Sequence, residues 1–483
     1  MCTQVAKNLD FWPLFNILKP IFITKRGINL SKYHFIAIGG IGMSGLAKYL
    51  LEEGHTVTGS DIEAGKYSAM VQELGATVNI GHSAENLHKD TDTVVVSTAV
   101  KSTNPELQKA KECGIKIYHR SDLLEEVAKN AQQIGKKQFI GFAGTHGKTT
   151  TSGMASYVLD MSGDAPAFVV GGIVPEINTN AQHKSGKHFV AELDESDGTL
   201  VKYAPDILVI NNLEEDHLDF YKNGMPDLIK VFNQAISKAK KVIVNADDIG
   251  IKGLSGNFTT FGIKNNADYQ AKNILADAKG TKFDVFFKNK KLVDLELCLT
   301  GTHNIYNALA VVAALNESGV NVADKKNHFA TFTGMGRRFQ KVYEFDGIQI
   351  FDDYAHHPTE IKAVLDAAAT KFGKQNIVAV FQPHRYTRLQ GLWNEFQVAF
   401  GDAGRVIVTD VFEASESPID GITGQNFASQ SGFEHIPGKM DNVAKQILPT
   451  LKSGNVVVGL GAGTITTLGK YIQQQVTNNK KTR

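Results

Sequence analysis

The chain has 483 residues, 51 Lys plus Arg against 50 Asp plus Glu, a formal net charge of +1 and 42% hydrophobic residues. That length exceeds what one hydrophobic core fills and predicts two to four domains, while the composition excludes wholesale disorder. The even charge balance argues against a nucleic-acid-binding or membrane-binding face, so any basic site is local.

At the N-terminus, Phe11–Ile23 is rich in large apolar residues but broken by Pro13, Lys19 and Pro20. It is shorter than the roughly 18 residues of a spanning helix and lacks the flanks of a signal peptide. It reads as an extension packed on the first domain, with membrane attachment as the alternative. No other long apolar run occurs, so no integral membrane segment is expected. The three cysteines, Cys2, Cys113 and Cys298, are scattered and lack CxxC spacing. That argues for a reducing, cytoplasmic compartment rather than for disulfides or structural zinc.

Short Val/Ile-rich runs then recur, each followed by a glycine turn or a helical pattern: His34–Ile38, Thr93–Ser97, Phe139–Ala143, Ile207–Asn211, Lys241–Asn245, Asn376–Phe381, Arg405–Thr409 and Asn455–Gly459. Continuous apolar strands alternating with helices predict parallel sheets buried on both faces, the α/β class. Polar stretches at Lys129–Lys137 and Asp324–His328 suggest boundaries that divide the chain into 1–133, 134–330 and 331–483.

The first chemistry-bearing motif is Gly40-Ile41-Gly42-Met43-Ser44-Gly45, between a strand and a helical stretch. There, glycines let a helix N-terminus approach a diphosphate. Asp61, closing the next strand, stands where an acid meets a ribose in dinucleotide enzymes. The loop does not decide between NAD and a UDP-sugar. Next, Gly144-Thr145-His146-Gly147-Lys148-Thr149-Thr150 follows a strand directly. Its backbone N–H groups suit phosphates, its lysine the terminal phosphates and its Thr hydroxyl Mg²⁺. Phe142 stands where the general pattern wants glycine.

Glu192-Leu193-Asp194-Glu195-Ser196-Asp197 ends a strand and is either a holder of the nucleotide metal or a solvated loop. In Asn211–His217, His217 beside acids is a metal ligand, a base or a surface residue. Asn304 and Asn307 lie three apart at a helix start and share a face, either as caps or as contacts to a base edge. Arg338 suits charge on a transferring phosphoryl group. In the last third come Asp352-Asp353-Tyr354-Ala355-His356-His357-Pro358 and the pair Arg385 and Arg388. Two guanidinium groups three apart fit a carboxylate clamp or surface ion pairs.

Taken in order, these motifs resemble those of the Mur ligases. The match is carried by His34–Ala47 (HFIAIGGIGMSGLA), Gly144–Thr151 (GTHGKTTT), Glu192–Gly198 (ELDESDG), Asn212–Tyr221 (NLEEDHLDFY), Gly301–Ala308 (GTHNIYNA), Gly336–Phe339, Asp352–Glu360 (DDYAHHPTE) and Pro383–Arg388. The resemblance implies a Rossmann-like N-terminal domain for a UDP-sugar, a central P-loop ATPase-like parallel-sheet domain and a Rossmann-like C-terminal domain. It implies an ATP- and Mg²⁺-dependent enzyme that joins L-alanine to the carboxylate of UDP-N-acetylmuramate through an acyl phosphate and a tetrahedral intermediate. The expected product serves peptidoglycan synthesis, and the expected form is a monomer or weak dimer.

By the same resemblance, Gly144–Thr150 and Lys148 hold the ATP phosphates, Thr149 and Glu192 one Mg²⁺, and Glu192 and His217 a second. Asn304 resembles the adenine contact, Asp353 the ribose contact and Arg338 a phosphate contact. Tyr354, His356, Arg385 and Arg388 resemble the residues around alanine and the reacting centre, and Gly40, Gly42, Met43, Ser44, Gly45 and Asp61 those around the UDP moiety. Thr464, where the family often has an acid, and Leu193, in place of a small residue, depart from the pattern. The rival readings are a sibling ligase that attaches a preformed peptide, an NAD-dependent oxidoreductase and a non-catalytic nucleotide binder. The oxidoreductase leaves Gly144–Thr149 without a purpose, and the binder leaves Lys148, Glu192, His217 and the arginine pair without one.

Overall fold

The computed structural model describes residues 30–481 apart from 217–219, 278 and 415, and no side chain beyond 478. His217 and the apolar run Phe11–Ile23 therefore lie outside the described residues.

Three sheets follow one another along the chain. The first contains β1 (Lys32–Ile36), β2 (Thr56–Asp61), β3 (Thr77–Ile80), β4 (Thr93–Val96) and β5 (Lys116–His119), all parallel in the order β3-β2-β1-β4-β5. The crossover helices are α1 (Ile41–Glu53), α2 (Lys66–Glu73) and α3 (Pro105–Glu112), and α4 (Arg120–Gln133) leads out. The expected strand at His34–Ile38 sits two residues earlier because Ala37 adopts φ +65°, which ends the extended run. Helix α1 begins at Ile41 rather than Ser44, so the glycines belong to its first turns.

The central sheet has ten strands: β6 (Gln138–Ala143), β7 (Ala167–Val174), β8 (Thr179–Gln182), β9 (His188–Glu192), β10 (Ile207–Ile210), β11 (Lys241–Asn245), β12 (Thr259–Gly262), β13 (Tyr269–Asp277), β14 (Gly280–Phe287) and β15 (Lys290–Leu297). Their order is β15-β14-β13-β12-β11-β10-β6-β9-β7-β8. The inner strands are parallel and buried along most of their length, β10 throughout, as their unbroken apolar runs require. The β13–β15 end is an antiparallel meander whose strands alternate buried and exposed residues. Helices α5 (Lys148–Met161), α6 (Met225–Ile236), α7 (Thr302–Glu317) and α8 (Lys326–Thr331) belong to this layer. Eight consecutive residues of α7 from Ala308 to Leu315, with Ile305 and Asn307, are buried, so this helix is the central pillar of one core. Each such Leu or Val contributes about 1.5–3 kcal/mol on burial.

The last sheet contains β16 (Gln340–Phe345), β17 (Ile348–Asp353), β18 (Ile377–Phe381), β19 (Arg405–Val408), β20 (Glu434–His435) and β21 (Val456–Leu460), in the order β16-β17-β21-β18-β19-β20. Only β16 runs antiparallel. Helix α9 (Pro358–Phe372) follows β17, and the short α10 (Tyr386–Gly391) follows β18. The chain enters this layer through a link in which Gly334, Arg337 and Phe339 all have positive φ. Among the described residues no helix is long and apolar enough to cross a membrane.

Candidate active site

Parallel strands present their carboxyl ends, and the helix N-termini that follow them, on one side of a sheet. Here that side of each sheet carries the motifs, and two adjoining cavities run between them. One, of about 940 Å³, is bordered by Gly147, Thr150, Asn304, Asn307 and Asp353. The other, of about 770 Å³, is bordered by Gly42, Lys148, Thr149, Glu192, Tyr354 and Arg388. They share His146, Gly147, Arg338 and Glu360.

The phosphate-type loop joins β6 to α5. Gly147 has φ +80°, and a Cβ there would stand 2.8 Å from Asn307 Oδ1, so only glycine fits. The Lys148 ammonium donates to Gly144 O (2.6 Å), Thr145 O (3.0 Å) and Glu195 (3.0 Å). Burial opposes its charge, but Glu195, Asp194 and Glu192 outweigh that and raise its pKa, so it stays a cation. Thr149 Oγ1 donates to Glu192 at 3.1 Å, and Glu192 also accepts from Gly171 N at 2.8 Å. A hydroxyl and a carboxylate so placed form the oxygen-rich corner a Mg²⁺ ion prefers. Thr145 Oγ1 accepts from Glu214 N, which ties the loop to the strand end after β10.

On α7, Asn307 Nδ2 donates to Asn304 Oδ1 at 3.2 Å, so the two amides do share a face, and that face borders the larger cavity. Asp353, at the end of β17, accepts from Phe339 N (2.6 Å) and Ala355 N (2.7 Å). Burial lifts its pKa to about 6 against the pull of Arg338.

Around the smaller cavity, Arg338 lies 3.6 Å from Glu360 and its guanidinium carbon 5.5 Å from the Tyr354 ring centre. Burial lowers His356 to about 4 and His384 to about 3, so both imidazoles are neutral at pH 7. Their rings stand 5.6 Å apart. The two arginines are not equivalent. Arg385 caps α10 with φ +70° and pairs with Glu416, whereas Arg388 lies one turn inside and grips Asp216 at 3.0 Å. With φ +70° Arg385 stands outside the helix, so the two arginines do not share a helical face through spacing by three, although both border the smaller cavity.

In the first layer, Ile41 and Gly42 border the smaller cavity. Gly40 opens α1 without a side-chain cap, which leaves the first N–H groups of the helix for a ligand. Met43 and Ser44 are buried and Gly45 faces Asn180, so these three side-chain positions point into the protein. Asp61 accepts from Gly39 N at 2.8 Å and shapes the turn.

Two residues to which sequence reasoning gave no role stand out. Arg120, directly after β5, pairs with Asp194, and a Cβ on Gly42 would lie 3.5 Å from its Nη1. Its position at a strand's carboxyl end was the only available signal. Glu360, in the first turn of α9, accepts from His356 N (3.1 Å) and meets His146 Nδ1 at 3.2 Å. His146 Nε2 lies 3.3 Å from Glu214. Burial would lower the His146 pKa, but its hydrogen bonds to Glu214 and Glu360 override this and raise it to about 9. The phosphate loop is thus ion-paired to the third layer.

A lysine-bearing phosphate-type loop, an oxygen-rich corner beside it and a third layer facing both define an enzyme that handles nucleotide phosphates between three α/β domains. The comparisons agree. The model of the Mur ligase family catalytic domain matches residues 32–132, that of the Mur ligase middle domain 142–315 and that of the Mur ligase glutamate ligase domain 337–463. A UDP-N-acetylmuramate–L-alanine ligase of Pelobacter propionicus is 39% identical, over 92% of this chain and 97% of its own. One from Geobacter sulfurreducens is 37% identical, over 90% and 96%. The crystal structure of the UDP-N-acetylmuramate-alanine ligase of Thermotoga maritima superposes with a TM-score of 0.80 at 30% identity, covering 92% of this chain and 99% of that one. A murein peptide ligase of Psychrobacter arcticus gives 0.71 at 26%, covering 92% and 98%. The chain belongs to the Mur ligase family.

Proposed function

We propose that this protein is the ATP-dependent ligase that joins L-alanine to the lactyl carboxylate of UDP-N-acetylmuramate in the synthesis of peptidoglycan precursor. The observation that carries the reading is the pair of adjoining cavities, with Arg338 at their junction and Lys148 on the wall of the smaller one. The names and near-full-length coverage of the relatives support the choice of substrates. Domains of 1–133, 134–330 and 331–483 then hold the sugar nucleotide, ATP and the closing lid.

In this reading ATP fills the larger cavity, with adenine against Asn304 and ribose against Asp353. The backbone of Gly144–Thr150 cradles the phosphates. A carboxylate oxygen of the sugar nucleotide attacks the γ-phosphorus, and the β–γ bridging oxygen leaves with ADP. The alanine nitrogen then attacks the acyl carbon, and phosphate departs from the tetrahedral intermediate. Two anions must meet first, and Lys148 and Arg338 lower that barrier. Thr149 and Glu192 fit Mg²⁺ by donor type and spacing, and His217 is assigned to a second ion by the family pattern. Bound Mg²⁺ supplies charge neutralisation at the phosphates. The amine must lose a proton before it attacks, and the neutral His356 and His384 stand with Arg385 and Arg388 around the cavity it enters. Tyr354 and the arginines orient the amino acid. Gly40–Gly45, with Asp61 shaping the turn, receive the diphosphate at the α1 N-terminus, and Arg120 stands over it. The enzyme works in the cytoplasm as a monomer or weak dimer.

The test is phosphate release with ATP, Mg²⁺ and UDP-N-acetylmuramate, with L-alanine added, omitted or replaced by a peptide. Release that needs alanine, with a product heavier by one alanyl residue, is expected. Release only with the peptide moves the protein to the peptide-adding branch.

A further inference from the structure

Beside the larger cavity, which His146 and Glu214 border, lies a side-chain cluster to which the ligase reading gives no role. His146 from the phosphate loop, Glu214 from the segment after β10 and His357 at the N-cap of α9 each turn a ligand-type atom to a common point. These atoms lie within 4.8 Å of one another. Glu214 Oε2 is 3.3 Å from His146 Nε2 and 3.7 Å from His357 Nδ1, and the two rings are 4.9 Å apart. Two further observations set this apart from an ordinary ion pair. His357 is 5% exposed; its Nδ1 faces Glu214 and accepts from Thr359 N at 3.4 Å, while its other ring nitrogen, Nε2, has no hydrogen-bond partner among the described residues. A buried imidazole rarely leaves such a nitrogen unused. The far nitrogen of His146, Nδ1, is held by the Glu360 carboxylate at 3.2 Å. Metal-ligating histidines typically carry a carboxylate on the second ring nitrogen, which fixes the tautomer and turns the other nitrogen to the ion.

We propose that His146, Glu214 and His357 form a site for one zinc-class cation, distinct from the Mg²⁺ used with ATP, which pins the third domain onto the phosphate loop and slows nucleotide exchange. Donor chemistry selects the ion. Two imidazoles and one carboxylate suit zinc or cobalt with an open fourth position, whereas Mg²⁺ keeps to oxygen ligands and its own waters. Geometry supplies the consequence. His146 and Glu214 belong to the central layer and His357 to the third, so one bound ion ties across the cleft through which nucleotide passes. The ligase reading does not depend on this site.

The experiment uses the full chain with Mg²⁺ in excess and Co²⁺ as a spectroscopic substitute for Zn²⁺. One equivalent of Co²⁺ is expected to give the intense visible absorption of a four- or five-coordinate ion. That band should disappear in His357→Ala and weaken in Glu214→Gln. In parallel, micromolar Zn²⁺ should slow release of a fluorescent ADP analogue about tenfold in the wild type and leave release from His357→Ala unaltered, with a zinc-selective chelator restoring the rate. His357→Gln, which keeps a polar side chain at the α9 cap, covers the case in which the alanine variant does not fold. Absence of the intense band, or a band identical in wild type and variants, overturns the proposal. So does a release rate indifferent to Zn²⁺.

Discussion

The loop from β1 to α1 and the loop from β6 to α5 are built alike: a buried parallel strand, a glycine turn, then a helix N-terminus. They differ in where the positive charge comes from. In the second loop Lys148 is the first helical residue and folds back over the turn onto Gly144 O and Thr145 O. In the first loop α1 opens with uncharged residues, and the cation over Gly42 is Arg120, delivered by another strand. The backbone provides the same anion-binding end in both. One loop carries its counter-charge within the motif, and the other borrows it from the fold. This explains why both loops were readable along the chain but only the second with its counter-charge.

Four experiments sharpen or break that contrast. The largest effect belongs to Lys148→Ala, which removes the internal charge: phosphate release should fall on the order of 10³-fold, as for loss of a principal donor to a phosphoryl group. Near-normal turnover in a steady-state assay would break the comparison at its root. Gly147→Ala should destabilise the chain by about 1–3 kcal/mol in denaturant titration, since it meets both a left-handed φ and Asn307. Gly42→Ala, whose Cβ has only Arg120 Nη1 nearby at 3.5 Å, should stay within about 0.5 kcal/mol. Equal losses would mean the two turns are equally strained.

Arg120→Ala should raise the KM for the sugar nucleotide about tenfold while leaving that for ATP near its wild-type value, which matches about 1.4 kcal/mol for a charge-assisted contact. Asp194→Asn frees the same guanidinium and should not share the effect. If both variants raise KM alike, Arg120 serves only its ion pair. The smallest effect is in pH. The folded-state pKa of His146, about 9, lies above its ordinary 6.5, so its contribution to stability is complete below pH 6.5 and is lost as pH rises to 9. Melting temperature of the ligand-free chain should fall across that window more in the wild type than in His146→Asn.

Features governed by short-range pattern were legible in the sequence. The unbroken apolar runs announced parallel strands, and Asn304 with Asn307 announced a shared helical face that the structure keeps. The corner of Thr149 and Glu192, separated along the chain, was reachable through the family motifs and is closed by a 3.1 Å hydrogen bond. What escaped depends on backbone signs or on layers meeting. Ala37 ends its strand early and Arg385 stands outside its helix, each through a positive φ that residue type did not signal. Glu360 and Arg120 act across layers, and no local pattern encodes such a meeting. Met43 and Ser44 lie in the glycine motif but face inward because α1 starts three residues sooner than its pattern suggested.

The link into the third layer carries one last consequence. Arg337 and Phe339 hold left-handed backbones that cost about 1–2 kcal/mol each for residues with a Cβ. They are held there by partners inside the third layer: Arg337 by Asp352 and Gly461 O, and Phe339 by its ring stacked 4.4 Å from Phe351 and its N–H on Asp353. Asp353 also borders the larger cavity. The link therefore stores backbone strain behind a catch that is itself a cavity residue: replacing Asp353 would free the Phe339 N–H and with it one of the two strained positions.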